Sequence, residues 1–261
     1  MEPHHHRAIE RWARHARSQP GHRALIVAGS LTKGYSRPDS DVDGFLVITD
    51  DEFARRRESG ELTFFSTEPC DYAGGYVDAK YVTLGFLEAA AERGSEPARS
   101  AFLGALVPWS EIDGLDALLE RIVAYPEAER VEKMGRFLSQ LSAAQWFARE
   151  AEKRNDPYLA SWAANRLVLF GCRLVLAHNR VLFPYHKWLM RAVGDAPEKP
   201  DGLLDLAERL LASPTVENAD AFASAVVFFR QWPLSATPWT AQIVLDSEWN
   251  WLDHRPPIED A

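Results

Sequence analysis

The sequence predicts an α/β domain over residues 1–108, a mixed sheet with flanking helices, followed by an all-α domain over residues 109–261. Three observations predict this. Runs rich in β-branched and aromatic residues are confined to the chain before Gly85. Beyond Gly85, long segments of Ala, Leu, Glu and Arg are punctuated by Pro126, Pro157, Pro184, Pro197, Pro214 and Pro238, residues that interrupt helices. Two short apolar runs, 24–28 and 44–48, stand on either side of a Gly-Ser turn and an Asp-x-Asp triplet.

The elements follow in order. Residues 5–18 carry Ile9, Trp12, Ala13 and Ala16 at helical spacing with Arg and Glu between them, an amphipathic helix for one face of a sheet. Ser18, Gln19, Pro20 and Gly21 end it. Strands are expected near 23–29, 42–49, 61–67 and 76–83, with 50–57 a short exposed helix or loop and 69–75 a turn. Helices are expected over 85–93, 96–105, 113–124, 127–154, 157–179, 186–193, 202–212, 215–231 and 239–251. His4, His5 and His6 read as a disordered end. Of the nine tryptophans, Trp232, Trp239, Trp249 and Trp251 fall late, and their spacing predicts core positions rather than a ring-stacking site.

An apolar content of 46% in 261 residues is ample for a core. No apolar run approaches the length that crosses a membrane, and the N-terminus lacks a charged-then-apolar signal pattern, so no membrane partner is expected. Cys70 and Cys172 alone make no disulfide framework, which fits a reducing cytoplasm. The net charge of -9 argues against an enzyme that grips nucleic acid, because phosphate neutralisation needs a broad basic surface. It suits a small acceptor, a cationic one gaining from steering.

The chemistry concentrates at Gly29-Ser30 and Asp41-Val42-Asp43. Side chains of a strand alternate faces, so Asp41 and Asp43 share one face while Val42 enters the core. Two carboxylates a few ångströms apart repel unless a cation sits between them. Opposite a Gly-Ser turn able to take phosphate, the pair points to a magnesium–nucleotide site.

Gly29, Ser30, Ser40, Asp41 and Asp43, with Asp78 as a third carboxylate on a neighbouring strand, resemble the signature of the DNA polymerase beta-type nucleotidyltransferases. The resemblance covers residues 20–85, and the layout is most similar to the antibiotic (aminoglycoside-type) enzymes of that superfamily and their bacterial relatives. Gly44 departs from the pattern, which has an apolar residue after the second Asp. The resemblance implies a magnesium-dependent enzyme that moves a nucleoside monophosphate, AMP from ATP by prior, onto a hydroxyl of a small acceptor. Asp41 and Asp43 would bridge two magnesium ions. Asp78 would complete the metal site or act as general base; that alternative stays open. Gly29 and Ser30 would cradle the triphosphate, with Lys33 and Ser40 as further contributors and the nucleotide in a cleft between domains. Two rival readings share the fold: nucleotidylation of a protein or tRNA, as in toxin–antitoxin relatives, and a nucleotide-binding module without turnover.

In the helical half, residues 179–188 put Lys187 and His186 after the Pro184 break. Related enzymes draw a cation for the triphosphate from this half, which makes Lys187 the candidate. Arg173 and His178 match the spacing of a small helical nuclease family, but Leu174 departs from it and residues five apart align poorly on a helix, so a structural His178 is expected. Asp246 and Glu248 are carboxylates able to bind a cationic acceptor.

Overall fold

β1 (His22–Val27) and β2 (Val42–Ile48) are buried at nearly every position, because both faces of the sheet they centre are covered. A computed structural model of the chain describes residues 1–252, and it divides into two compact units, Met1–Ala124 and Tyr125–Ala261.

The first unit runs α1 (Pro3–Ser18), β1, β2, α2 (Asp50–Ser59), β3 (Thr63–Ser66), β4 (Val77–Val82), α3 (Leu84–Arg93), α4 (Glu96–Ser100), β5 (Leu106–Ser110) and α5 (Leu115–Val123). Its mixed five-stranded sheet has the order β3-β4-β2-β1-β5. β2 and β4 pair in parallel, and the other neighbours are antiparallel. Leu25, Val27, Val42 and Leu46 pack with Ala8, Trp12 and Ala16 of α1 on one face. Ala24, Ile26, Phe45 and Val47 pack with Leu87, Leu119 and Ile122 of α3 and α5 on the other. Thr49 and Thr83 cap α2 and α3 by accepting from the backbone N–H groups of Glu52 and Phe86.

Three expectations change here. The helix over 96–105 ends at Ser100, and β5 follows as an edge strand paired with β1. Pro108 interrupts the strand pattern in the sequence, yet an edge strand tolerates proline because one side of it needs no partner. β5 and α5 both belong to the first unit, so the division falls after Ala124 rather than at residue 108. His4, His5 and His6 are not a loose end: they lie in the first turn of α1, and His5 is fully buried with its Nδ1 accepting from the Glu2 N–H at 3.0 Å.

The second unit is helical. α6 (Glu127–Arg154) and α7 (Pro157–His178) form a long hairpin, turned by Asn155 at φ +51° and capped by Asp156, whose carboxylate accepts from the Leu159 N–H at 3.0 Å. A 3-10 turn (His186–Trp188), α8 (Leu189–Asp195), α9 (Leu203–Ala212), α10 (Val216–Phe229) and α11 (Trp239–Ile243) follow, then a wider helical turn (Val244–Glu248) and a last 3-10 turn (Asn250–Leu252). α7 is long and apolar enough to cross a membrane by length and composition, against the sequence expectation. Arg166 and Arg173 break its apolar run, which hides this from a search for uninterrupted stretches. Leu167, Leu174 and Val175 of α7 are instead core residues of the helical unit. The tryptophans divide: Trp232 is buried and donates Nε1–H to the Val226 carbonyl at 2.8 Å, whereas Trp249 and Trp251 are exposed.

Candidate functional site

The register of β2 against β4 sets the site. Asp43 and Asp78 are direct partners across the parallel ladder, so both side chains leave the same face of the sheet, on strands spaced about 4.8 Å apart. Asp41 precedes β2 by one residue and shares that parity. The Val42 N–H donates to the Tyr76 carbonyl at 3.0 Å, which brings Asp41 beside Tyr76. The nearby Asp41 carboxylate, by its attraction for the phenol proton and its charge, pushes the Tyr76 hydroxyl up to about 12. Tyr76 lies two residues before Asp78, so the period of two in β4 was the signal that could have found it.

Gly29 begins the turn that leaves β1. The Ala28 N–H donates to the Asp43 carbonyl at 2.9 Å, and Gly29 adopts φ +78° directly over the Asp43 side chain. A Cβ at Gly29 would lie 2.2 Å from Asp43 Oδ2, so only glycine fits. The turn closes with the Tyr35 N–H donating to the Ser30 carbonyl at 3.1 Å, leaving Ser30 half-buried. Thr32 pins it by donating its hydroxyl to the Gly29 and Leu103 carbonyls at 3.3 and 3.4 Å. Thr32 is a supporting residue that no sequence motif singles out.

Lys33 is half-buried in the same turn. Burial holds its ammonium below the ordinary lysine value, while the charge of Asp43 acts in the opposite direction. Lys33 is therefore electrostatically tied to the carboxylate site. Ser40 is buried, and its Oγ accepts from the Arg37 N–H at 2.8 Å while its carbonyl accepts from the Tyr72 hydroxyl at 2.8 Å. Ser40 thus shapes the approach to Asp41. Tyr72 in turn lies flat against Gly75, where a Cβ would meet the ring at 2.6 Å.

Gly44, the departure from the expected pattern, has a steric cause. A Cβ there would lie 2.6 Å from the Ile26 carbonyl and 2.8 Å from the Trp12 ring. The bulk of Trp12 on α1 fills the space that an apolar side chain at position 44 would occupy.

Carboxylate oxygens are the donors magnesium takes, and magnesium is commonly held by one or two carboxylates with phosphate and water completing its shell. The Asp43–Asp78 pair fits that mode. Among the described residues, no group of three or more His, Cys, Asp or Glu side chains is gathered to hold a metal ion.

Lys187 belongs to the second unit. It is exposed in the 3-10 turn with Nζ 5.5 Å from the Trp188 ring centre. His178 is structural: its Nε2 lies 3.2 Å from Glu198 Oε2, and Arg230 Nη1 lies 3.0 Å from its Nδ1. Because arginine can only donate, that Nδ1 accepts and the proton sits on Nε2, facing Glu198.

A family model described as a domain of unknown function (DUF4037) matches residues 107–189. No curated protein matches the chain. Among solved structures, the chain is similar to a nucleotidyltransferase-like protein from Exiguobacterium sibiricum 255-15, with 13% identity, a TM-score of 0.47, and coverage of 94% of this chain and 79% of that one.

Proposed function

We propose that the first unit is the catalytic part of a cytoplasmic, magnesium-dependent nucleotidyltransferase that moves a nucleoside monophosphate, AMP from ATP, onto a hydroxyl of a small-molecule acceptor and releases pyrophosphate. The observation that carries this reading is the in-register pair Asp43–Asp78 beneath the positive-φ turn at Gly29.

Nucleotidyl transfer must gather several negative charges where a nucleophile approaches. Magnesium, when bound, would stabilise the attacking and leaving oxygens. Asp41 and Asp43 would hold it. The backbone N–H groups of the turn from Ser30 onward would bind phosphate oxygens, as such turns do. Lys33, tied to Asp43 in the free protein, would turn its ammonium toward the triphosphate. Asp78, the more exposed carboxylate of the Asp43–Asp78 pair, would complete that site or take a proton from the acceptor hydroxyl.

Calorimetric titration of the wild type and Asp43→Asn with non-hydrolysable ATP, GTP, CTP and UTP analogues, with and without magnesium, tests the proposal. One analogue should bind, and only with both magnesium and Asp43 present. Binding indifferent to Asp43→Asn, or none to any analogue, would overturn it.

A further inference from the structure

Asp78 has a second neighbour in the sheet besides Asp43. β3 pairs with β4 so that Phe65 stands directly across from Asp78 on one side, as Asp43 of β2 does on the other. Direct partners share a face, so Asp43, Asp78 and Phe65 form one row over three adjacent strands, about 10 Å from end to end. The alternation of β3 agrees. Phe64 turns toward α1, its ring stacked on that of Trp12 at 6.2 Å between centres, so Phe65 turns to the opposite face. On that face α3 and α5 cover Phe45 and Val47 of β2, whereas Phe65 is left 64% exposed.

A single exposed apolar side chain is ordinary, but Phe65 is not single. Its ring centre lies 5.1 Å from that of Tyr76, with 35° between the planes, and Tyr76 shares the face of Asp78 two residues later. Edge strands are commonly guarded by charge, and β3 instead sets two rings beside a carboxylate. The order of the row fixes what each part can meet. The Gly29 turn leaves β1 over Asp43, at one end. With the triphosphate at that end, an attacking hydroxyl comes to Asp78 from the other, and the body of the acceptor lies over Phe65 and Tyr76. The charges of Asp41, Asp43 and Asp78 all act on the Tyr76 hydroxyl, so an anionic acceptor is repelled there. One strand spacing of about 4.8 Å between Phe65 and Asp78 sets a short tether between ring and hydroxyl.

We propose that Phe65 and Tyr76 form the acceptor subsite, selecting a non-anionic aromatic alcohol whose ring stacks on Phe65 and whose hydroxyl reaches Asp78; this rests on the nucleotidyl transfer proposed for the carboxylate site and adds the acceptor class to it. Ring-on-ring contact supplies the selection, since aromatic pairs gain beyond the area they bury. In the transfer, the acceptor oxygen bonds to the α-phosphorus as the bond from that phosphorus to the bridging oxygen breaks. Pyrophosphate leaves with the electron pair, and the hydroxyl proton passes to water, directly or through Asp78.

The test titrates the full chain, with its aromatic rings labelled with carbon-13, with tryptophol, a neutral indole alcohol, and follows the ring signals by NMR without nucleotide or metal. The Phe65 and Tyr76 signals should shift saturably. Phe65→Ala should bind about fivefold more weakly, the worth of one aromatic pair, and Phe65→Tyr should match the wild type. Absent shifts, or equal affinity in Phe65→Ala, would overturn the subsite, and would do so alone if a nucleotide analogue still binds through magnesium and Asp43. Shifts in a protein that binds no analogue would overturn the transfer and the acceptor role with it. With both in place, tryptophol should support pyrophosphate release from ATP faster than 2-cyclohexylethanol does. Phe65→Ala should then raise KM for tryptophol about fivefold and leave KM for ATP unchanged. An unchanged KM for tryptophol, or no preference for the aromatic alcohol, would overturn the proposal.

Discussion

Gly29 and Asp43 occupy each other's space: a Cβ on Gly29 would lie 2.2 Å from Asp43 Oδ2 and 2.6 Å from Asp43 Cβ, and Gly29 holds φ at +78°. The glycine is thus required twice, by its backbone conformation and by the carboxylate beneath it. The motif assigns Gly29 to phosphate approach, and the side chain packed against it is that of Asp43.

That double requirement makes Gly29→Ala separable into parts. In the wild-type background the substitution should cost more than ~2 kcal/mol, from strain at positive φ and from the collision together. In an Asp43→Gly background every colliding atom of that side chain is gone, and only the conformational cost of ~1 kcal/mol should remain. Urea denaturation of the four proteins measures this. Equal costs in both backgrounds would show that the contact carries no energy.

Tyr76→Phe isolates the bond to Asp41. The phenol, pushed up to about 12, stays a protonated donor across the physiological range. Its removal should change stability by less than ~1.5 kcal/mol, the net value of one such hydrogen bond. A carboxylate relieved of a donor offers more charge to a cation, so magnesium should bind a few-fold more tightly in the presence of a non-hydrolysable ATP analogue. Weaker magnesium binding would mean that Tyr76 instead holds Asp41 in its ligating orientation.

The Trp12–Gly44 contact predicts strong coupling. Gly44→Ala places a methyl 2.8 Å from the Trp12 ring and 2.6 Å from the Ile26 carbonyl, in a core with no slack. A loss of about 1–3 kcal/mol is expected. Trp12→Leu vacates the ring's share of the space, so the double variant should be more stable than the sum of the two single losses predicts. Thermal or urea denaturation would show strict additivity if the ring and position 44 did not compete.

The sequence makes the order of elements and the face shared by Asp41 and Asp43 legible, because both follow from local periodicity. The parallel pairing that sets Asp78 against Asp43 is a contact between segments far apart in sequence, and only the family resemblance pointed to it. β5 was hidden by Pro108, whose tolerance depends on the strand lying at a sheet edge. The buried place of His5 was hidden because a run of three histidines looks solvated in isolation. Its surroundings, Tyr72 among them, come from residues more than thirty positions away. A cavity in the helical unit was illegible for a similar reason. Lys133, Arg136, Arg166 and Arg173, which line it, sit on two helices, up to forty residues apart in sequence, and only the α6–α7 hairpin collects them.

Buried neutral histidines give the first unit an acid limit. His22 is buried, its Nδ1 has no hydrogen-bond partner among the described residues, and burial with the nearby Arg56 charge lowers it from 6.5 to about 4. His5 is lowered too, first by burial and then by the charge of His4. Between the unfolded value near 6.5 and the folded value near 4, the unfolded chain binds more protons than the folded one, so stability falls as pH falls through that window. The contribution of His22 is fully present above pH 6.5 and is lost by about pH 4, on the order of 3 kcal/mol. His22→Gln removes the titration while keeping a polar side chain of similar reach. Urea denaturation from pH 7.5 down to pH 4 should give the wild type a steeper decline than His22→Gln, with the curves diverging below pH 6.5. Parallel curves would show that His22 is already protonated in the folded protein, against its place beside Arg56.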